Sequence, residues 1–245
     1  MGKSMRRDHL PFSMPNRSHS LIQEWRHLSF LHWEVDPNKL KQYIPEGIEI
    51  DFFEGKSFVG VIPFLMKNVR PRFLPAVPGI STFPEFNIRT YVKKNGKAGV
   101  LFLTLDAQSR ITCAYAPRAY GLPYTYAKCK LKIEKDNFNW ESKRSKEGFE
   151  LKGSCIAIGE EMQAMPNSLE EFLFERYSLY VKHKNSAKMA YTLHDPWKFK
   201  EAKVELSINT LTESYDLGIK NPLKPDYVHM SDGVYVHTWS IENVE

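Results

Sequence analysis

The sequence lacks the features that mark secreted, membrane-spanning and disulfide-bonded proteins. It has only three cysteines, an odd number without Cys-x-x-Cys spacing, which favours reduced thiols in the cytoplasm over disulfides or a zinc site. No stretch approaches the roughly 20 apolar residues of a membrane helix, and polar residues and prolines interrupt the N-terminal region where a signal peptide would lie. We therefore expect a cytoplasmic protein with no membrane partner.

Motifs for metals and nucleotides are also missing. The histidines show no His-x-His or His-x-x-x-His pair, no carboxylate cluster has calcium spacing, and no Gly-x-Gly-x-x-Gly or phosphate-binding loop occurs. We therefore expect neither a metal nor another cofactor. The net charge is only +5, which is too sparse a surplus for a nucleic-acid surface, so we expect no nucleic-acid partner.

The composition is that of one folded domain. With 245 residues, 42% hydrophobic and 13% aromatic, the chain can bury a large core, and no linker divides its middle. Residues 1–20 are rich in arginine, serine, proline and asparagine and carry few large apolar side chains. We predict a flexible N-terminal arm over residues 1–20, followed by a single domain over residues 21–245.

Strands joined by tight turns dominate the pattern. Leu28–Val35 is rich in strand-forming residues, and Asn95-Gly96, where both residues tolerate positive φ, predicts a hairpin between strands at 83–93 and 98–106. The segment 108–119 is typical of a short helix. Many strands and few helices indicate an α+β protein that is mostly antiparallel β.

Two further segments have distinct signals. Ser168, with Glu171 three residues later, forms a capping box that predicts a helix to about Val181. Residues 70–81 contain Pro71, Pro75 and Pro78, which predicts a loop of about 12 residues, a length common among lids over pockets.

Alternate positions from 83 to 93 carry polar side chains, and in a strand they share one face. That face consists of Glu85, Asn87, Arg89 and Tyr91. The other face consists of Phe86, Ile88, Thr90 and Val92. The apolar face belongs in the core. The polar face either meets solvent or lines a cavity that holds a ligand, since inward polar side chains line such cavities in closed barrels.

A turn motif follows the helix predicted over 108–119. Its residues, Arg118-Ala119-Tyr120-Gly121-Leu122-Pro123-Tyr124, resemble the Arg-Glu-x-x-Gly-x-Pro-Lys-Lys signature of acetoacetate decarboxylases. In those enzymes the first lysine after the proline condenses with the substrate ketone. Here Tyr124 and Thr125 stand at the two lysine positions, and Ala119 replaces the glutamate. The resemblance therefore implies the scaffold without the imine chemistry.

Over most of its length, from about residue 30 to about residue 239, the sequence resembles the YqjF-like DUF2071 family, which is grouped by fold with the acetoacetate decarboxylases. The residues that carry this resemblance are Trp33, Asp36, Pro37, 59–64, 83–91, 118–124, 175–177 and 194–197. The resemblance implies an acetoacetate decarboxylase-like β-barrel or mixed sheet with a few short helices. It also implies that Glu85 faces the interior, and that subunits can assemble, because the related decarboxylases form large rings.

Several side chains are candidates for binding a ligand: Glu85, Asn87, Arg89, Arg118, Tyr120 and Tyr124. Arg118 offers a planar donor fork that suits a carboxylate, or it forms a structural ion pair with Glu85. Tyr120 and Tyr124 either donate a phenol to a ligand oxygen or pack with satisfied hydroxyls.

Catalytic candidates are Glu85, Tyr124 and His194. His194, followed by Asp195, is either a general acid or base or a turn histidine bonded to the backbone. Lys128 shares a predicted strand face with Tyr124 and would replace the missing lysine only if burial or neighbouring charge lowered its pKa. Solvation of this lysine is the alternative.

These observations favour a pocket for a small organic molecule, such as an oxo-acid or related anion, on which Glu85, Arg118 and Tyr124 converge. A lyase or hydrolase that works without a lysine imine is one alternative. A non-catalytic metabolite-binding protein is another. A third is a structural or nucleic-acid-binding role that uses the basic arm and the Lys143–Lys152 surface.

Overall fold

The computed structural model describes residues 5–183 and 186–244, which form thirteen strands and three α-helices. The strands are β1 Leu21–Val35, β2 Glu49–Ile50, β3 Ser57–Pro71, β4 Phe83–Lys94, β5 Lys97–Ala107, β6 Tyr124–Glu134, β7 Asn137–Arg144, β8 Glu150–Gln163, β9 Ser178–His183, β10 Ser186–Leu193, β11 Lys198–Asn209, β12 Tyr227–Thr238 and β13 Glu242–Asn243. The helices are α1 Pro37–Leu40, α2 Arg110–Tyr120 and α3 Leu169–Phe174, and short 3-10 turns lie at Lys41–Tyr43 and Leu211–Ser214. None of these described helices is long and apolar enough to cross a membrane.

Hydrogen-bonded pairs of strands close into two rings. The nine-strand ring runs β4–β5–β6–β7–β8–β11–β12–β1–β3 and returns to β4. The seven-strand ring runs β4–β5–β9–β10–β12–β1–β3 and also returns to β4. Strand β5 pairs in parallel with β9 at Val100–Leu101 and with β6 at Leu105–Ala107, so the sheet divides along its length. The mostly antiparallel, partly ring-like sheet confirms the predicted fold class.

Each ring has its own hydrophobic cluster, and β4 contributes to both. Phe86, Ile88 and Val92 pack in the cluster of the nine-strand ring, together with side chains such as Trp140. The opposite face of β4 contributes Phe83 and Tyr91 to the cluster of the seven-strand ring, which also contains Phe64, Leu179, Val236 and the α3 residues Leu173 and Phe174. The apolar face of β4 therefore lies in the core, as predicted.

A buried ion pair crosses the nine-strand ring. The Arg144 guanidinium donates from Nε to both oxygens of Asp106, at 3.0 and 2.9 Å, and from Nη2 to Asp106 Oδ1 at 2.8 Å. Its Nη2 also donates to Thr104 Oγ1 at 2.7 Å. Charge and hydrogen-bonding capacity are thus matched within the protein, which is the condition under which a buried pair is tolerated.

Two local features of the fold agree with the sequence predictions. Lys94 pairs with Lys97 across the Asn95-Gly96 turn, and both turn residues have positive φ, which confirms that hairpin. Helix α2 covers the segment predicted as helical, with Ser109 Oγ accepting a hydrogen bond from the backbone of Thr112 as its N-cap.

The helix predicted from Ser168 to about Val181 is wrong in its length. Ser168 does cap α3, but the helix ends at Phe174, and β9 begins at Ser178. The residues after the helix pair with β10, where Leu179 lies opposite Ala190, and with β5. Pairing with strands on both sides outweighs local helix propensity there.

The described part of the N-terminal arm, residues 5–20, contains no helix or strand and contacts the domain. The Phe12 ring meets Tyr191 edge-on at 5.9 Å, and Trp239 Nε1 donates to the carbonyl of Arg17 at 2.7 Å. The flexibility and the boundary predicted for this arm stay predictions.

Candidate functional site

A cavity of about 700 Å³ lies on the seven-strand-ring side of β4. Its lining includes Leu21, Gln23, Trp25, Leu28, Ile62, Phe64, Met66, Phe83, Glu85, Asn87, Arg89, Phe102, Leu105, Ile111, Tyr115, Ala116, Tyr120, Leu122, Tyr124, Leu179, Ala190 and Thr238. Most of these side chains are apolar or aromatic. The size and the predominantly apolar wall are those of small-molecule sites in general.

The proline-rich loop predicted over residues 70–81 forms one side of this cavity. Leu74, Pro75, Val77 and Ile80 line it, and all four remain partly exposed or exposed, which places them at its mouth. The backbone of Val77 donates to Ser81 Oγ at 2.9 Å and fixes the loop locally. The mouth is thus an apolar rim of exposed loop residues, and the inner wall is sheet.

The polar face of β4 supplies the polar part of the inner wall. Glu85, Asn87 and Arg89 are only 2%, 5% and 8% exposed, so they are cavity residues and not a solvated outer face. They follow at alternate positions because successive strand residues point to opposite sides. Between them, Phe86 and Ile88 fill the nine-strand ring.

The turn motif brings Tyr124 to this row. Helix α2 ends at Gly121, whose φ of 64° is a left-handed conformation that glycine adopts without strain. The chain then crosses Pro123, whose carbonyl accepts from the backbone of Leu105 at 3.1 Å, and enters β6 at Tyr124. The Tyr124 hydroxyl donates to Glu85 Oε2 at 2.7 Å. Two of the three residues expected to converge therefore do so.

Burial dominates the electrostatics of this pair. Desolvation raises the pKa of Glu85 to about 7, and its hydrogen bonds with Tyr124 and Asn87 only partly oppose the shift. Desolvation and the neighbouring Glu85 carboxyl hold the pKa of Tyr124 well above its usual value. Near neutral pH the cavity therefore contains a carboxyl that takes up and releases a proton beside a phenol that keeps its own.

Hydrogen-bonding capacity in this row is incompletely used. Arg89 donates from Nη2 to the Leu173 carbonyl at 3.1 Å, but its buried Nε finds no partner among the described residues. Asn87 Oδ1 and Trp25 Nε1 are likewise buried without a partner in the described chain. All three belong to residues that line the cavity. Buried polar atoms are nearly always satisfied in native proteins, so these three atoms are available to hydrogen-bond a ligand.

Arg118 does not reach the cavity. Its side chain is exposed, and Nη1 donates to the carbonyl of Ala114 one turn earlier at 2.5 Å. The helical repeat explains this position, because Ala116 and Tyr120, four residues apart, share the cavity-facing side of α2. Arg118 lies midway between them and points to the opposite side. No ion pair joins it to Glu85, and Arg89 is the arginine of the inner wall.

His194 and Lys128 also lie elsewhere. The ring nitrogens of His194 lie 2.9 and 3.3 Å from the carbonyls of Asp195 and Arg176, and the ring stacks on Tyr177. Burial lowers the pKa of this histidine, which favours its neutral form. Lys128 is exposed on β6, and none of the described residues lining the cavity is a lysine. Of the alternatives given by the sequence, the geometry matches a turn histidine bonded to the backbone for His194 and a solvent-exposed side chain for Lys128.

The sequence interpretation missed Gln23 and Trp25, because it began the first strand at Leu28. Strand β1 starts at Leu21 and contains an irregularity at His27, whose φ of 53° is rare for a non-glycine residue. Between Arg26 and Leu31, β1 has one residue more than the paired segment of β3, and with this change of phase Trp25 and Leu28 both line the cavity. Residues 21–25 do not alternate polar and apolar side chains, so no pattern in the sequence pointed to them.

The DUF2071 family model, described as "Uncharacterized conserved protein", matches residues 22–235. The chain belongs to the DUF2071 family. The uncharacterized protein YqjF of Bacillus subtilis is 33% identical over 230 residues, which cover 94% of each chain. The family resemblance seen in the sequence is thereby confirmed.

Solved structures show the fold of this DUF2071 protein. An acetoacetate decarboxylase from Legionella pneumophila matches with a TM-score of 0.64 and 15% identity, covering 97% of this chain and 93% of the other. The enduracididine biosynthesis enzyme MppR, complexed with pyruvate, matches with a TM-score of 0.57 and 12% identity, covering 96% and 91%. The fold is therefore acetoacetate decarboxylase-like. Assembly of subunits stays a prediction.

Proposed function

We propose that this DUF2071 protein binds a small organic acid, with an apolar body and one anionic end, in the cavity of the seven-strand ring. The observation that carries this proposal is the row of Glu85, Asn87 and Arg89, buried in an otherwise mainly apolar wall with unpartnered Asn87 Oδ1 and Arg89 Nε. A ligand carboxylate would accept from Arg89. A neighbouring ligand hydroxyl would donate to Asn87.

The charges of the inner wall favour an anion. Arg89 contributes a positive charge, and Glu85 is uncharged at pH values below its pKa of about 7. The other lining arginine, Arg70, lies toward the mouth and donates to the Asn68 carbonyl at 3.1 Å. Oxo-acids fit this description, and the structurally similar MppR is complexed with pyruvate. The apolar wall favours longer acids than pyruvate because each buried methylene contributes about 0.8 kcal/mol.

Calorimetric titration with straight-chain 2-oxo acids of increasing length tests the proposal. Affinity is expected to rise with chain length until the cavity is full, and the corresponding amides are expected to bind more weakly. Binding should be strongest below pH 7 and weaken as Glu85 ionises, because its carboxylate then repels the ligand. In Glu85→Gln this pH dependence should disappear.

Arg89→Gln should weaken acid binding at least about tenfold, since a hydrogen bond to a charged group contributes about 1.5 to 3 kcal/mol. Arg118→Gln is the matched control, because it removes the same charge from the exposed side of α2. Equal affinity for acids and amides, or a loss of binding in Arg118→Gln instead of Arg89→Gln, would contradict the proposal.

A second candidate is a proton-transfer enzyme, a lyase or hydrolase without a lysine imine. The specific observation is the 2.7 Å bond between Tyr124 and Glu85, whose pKa lies at about 7. A carboxyl of that pKa suits general acid and base catalysis at neutral pH. Once Glu85 has taken up a proton, its carboxyl can donate to the phenol oxygen, and the phenol hydrogen is then free for a ligand oxygen on which charge develops. His194 is bonded to backbone away from the cavity and takes no part in this proposal.

Exchange of the hydrogens next to the carbonyl of a bound 2-oxo acid, followed by NMR in deuterated water, tests this candidate. Exchange should be catalysed by the unmodified protein and abolished in Glu85→Gln, while ligand binding persists. Borohydride treatment with acetoacetate or pyruvate should trap no covalent adduct. Exchange that survives in Glu85→Gln would eliminate Glu85 as the base, and a stoichiometric adduct at Lys128 would restore the imine mechanism.

A further inference from the structure

A second pocket, of about 820 Å³, lies where the N-terminal arm crosses the ends of β1 and β12. Its lining consists of Met5, Arg7, Pro15, Asn16, Arg17, Ser18, His19, Arg72, Leu193, His237 and Trp239. On β12, Val236 belongs to the cluster of the seven-strand ring and Thr238 lines its cavity. His237 lies between them and therefore points to the opposite face of the sheet. The second pocket is thus separate from the candidate acid site.

Positive charge collects in this pocket without matching acids. Arg17 is already used, since it contacts Glu242 at 2.5 Å and Ser240 Oγ at 2.6 Å. Arg7 and Arg72 form no ion pair with any described residue, and both side chains are exposed to the pocket opening. Two guanidinium groups with unused donors therefore border the same concave surface.

Two histidines lie beside these arginines, and one of them has a ring nitrogen that is unpartnered among the described residues. The rings of His19 and His237 stack with centroids 3.9 Å apart and planes 11° apart, and Trp239 meets His19 edge-on at 6.0 Å. His19 Nε2 is buried without a hydrogen-bond partner in the described chain. Close stacking of two imidazoles beside arginines opposes protonation of either ring, because each added proton meets like charge.

The electrostatics agree with this geometry. Burial, followed in order of importance by the charges of His19, Arg72, Arg7 and Arg70, lowers the pKa of His237 to about 4. Burial and Arg72 also lower the pKa of His19. A bound anion would offset these cations and allow a histidine to take up a proton.

We propose that this pocket binds a phosphate-type oxyanion through Arg7, Arg72 and the stacked His19–His237 pair. The planar fork of arginine matches the oxygens of phosphate and sulfate, and it binds them with paired hydrogen bonds. A tetrahedral dianion offers more acceptor oxygens than a carboxylate, so it can meet two guanidinium groups and an imidazole together. Free phosphate or the phosphate group of a small metabolite would satisfy the same donors.

The first experiment follows the ring protons of the histidines by NMR during titration with sodium sulfate, which remains a dianion across the working pH range. We expect saturable shifts at His19 and His237, and a rise of about one unit in the pKa of His237 when sulfate is bound. Sodium chloride at equal ionic strength should not reproduce either effect. Identical responses to the two salts would overturn the proposal by reducing it to ionic screening.

Arg7→Gln and Arg72→Gln, made singly, should each weaken sulfate binding about tenfold. The matched control is Arg110→Gln, because Arg110 is an exposed arginine that stacks on Tyr126 and lines neither pocket. A response that persists in both pocket variants would refute the assignment. Titration of inorganic phosphate and of phenyl phosphate, a monoester of similar charge, then separates free phosphate from a phosphorylated metabolite as the preferred form, since extra affinity for the monoester indicates contacts with the attached organic group.

Discussion

The two faces of β4 bury polar groups in opposite ways. Toward the nine-strand ring, Asp106 of the neighbouring β5 meets Arg144, and the hydrogen bonds of the two groups are made within the protein. Toward the seven-strand ring, Asn87 and Arg89 keep buried atoms without described partners. Burial is similar on both sides, so burial alone does not mark a site. The difference lies in whether the protein satisfies its own donors and acceptors.

Packing follows the same division. The nine-strand ring is filled by side chains such as Ile88 and Trp140, whereas the seven-strand ring keeps a cavity of about 700 Å³ beside the polar row. The Asp106–Arg144 pair and the packed apolar side chains stabilise the first ring. Unpaired atoms and open volume in the second have an energetic cost that a ligand can offset.

The largest effect is expected from Asp106→Ala, which breaks the paired side. Arg144 would remain as a buried cation without its partner, and breaking such pairs costs about 3 to 5 kcal/mol of the free energy of unfolding. Urea unfolding measures this loss. The control is the double variant Asp106→Leu with Arg144→Met, which removes both charges and should recover most of the stability. A single variant as stable as the original protein would show that the pair is not the structural group described above.

A smaller effect of opposite sign is expected from Glu85→Gln on the unpaired side. The pKa of Glu85 is about 7 in the folded protein against an ordinary value of 4.5, so the unfolded chain loses this proton first. The stability that the group contributes is therefore fully present below about pH 4.5 and is lost as the pH rises through about 7. At about 1.4 kcal/mol per pKa unit, the free energy of unfolding of the variant should rise by about 3 kcal/mol relative to that of the original protein between acidic and alkaline pH.

Unfolding of Glu85→Gln and of the original protein across that pH range measures the difference. Glu46→Gln, which removes an exposed carboxyl, is the control and should leave the pH profile unchanged. Parallel curves for the original protein and Glu85→Gln would mean that Glu85 ionises as easily in the folded state as in the unfolded chain.

The smallest effect is expected from Tyr124→Phe. Loss of the 2.7 Å bond to Glu85 should cost about 1 kcal/mol of stability, because one hydrogen bond contributes about that much. The bond also lowers the pKa of Glu85, so its removal should raise that pKa further. Carbon NMR of the Glu85 carboxyl reports the change. A lower pKa in the variant would contradict the bonding geometry.

The sequence predicted the parts of the fold that depend on local signals. The residue types Asn95 and Gly96 are enough to predict the turn. The alternation from 83 to 93 is enough to assign the two faces of β4, because neither prediction depends on residues far away in the sequence. The end of α3 was not predictable in the same way, because Ser178–His183 becomes a strand through pairing with β5 and β10. Such pairing depends on residues far away in the sequence.

The candidate site was predictable to a similar extent. Family resemblance and strand alternation identified Glu85, Asn87, Arg89 and Tyr124 as ligand candidates, and all four line the cavity. Arg118 was expected at the cavity but lies outside it. A match to a sequence motif does not tell which side of a helix a residue faces. Whether these residues bind a ligand stays a prediction. The unpaired atoms that favour Arg89 over Arg118 are visible only in three dimensions.

The irregularity at His27 has a consequence for how such cavities can change. β1 and β12 keep one register across it, with Arg26 opposite Gly233 and Leu28 opposite Ser231, and Gly233 also has positive φ. The two strands therefore change phase together, and a deletion in β1 alone would put its first half one residue out of step with β12. Insertions or deletions that reshape this wall would have to occur in both strands at once.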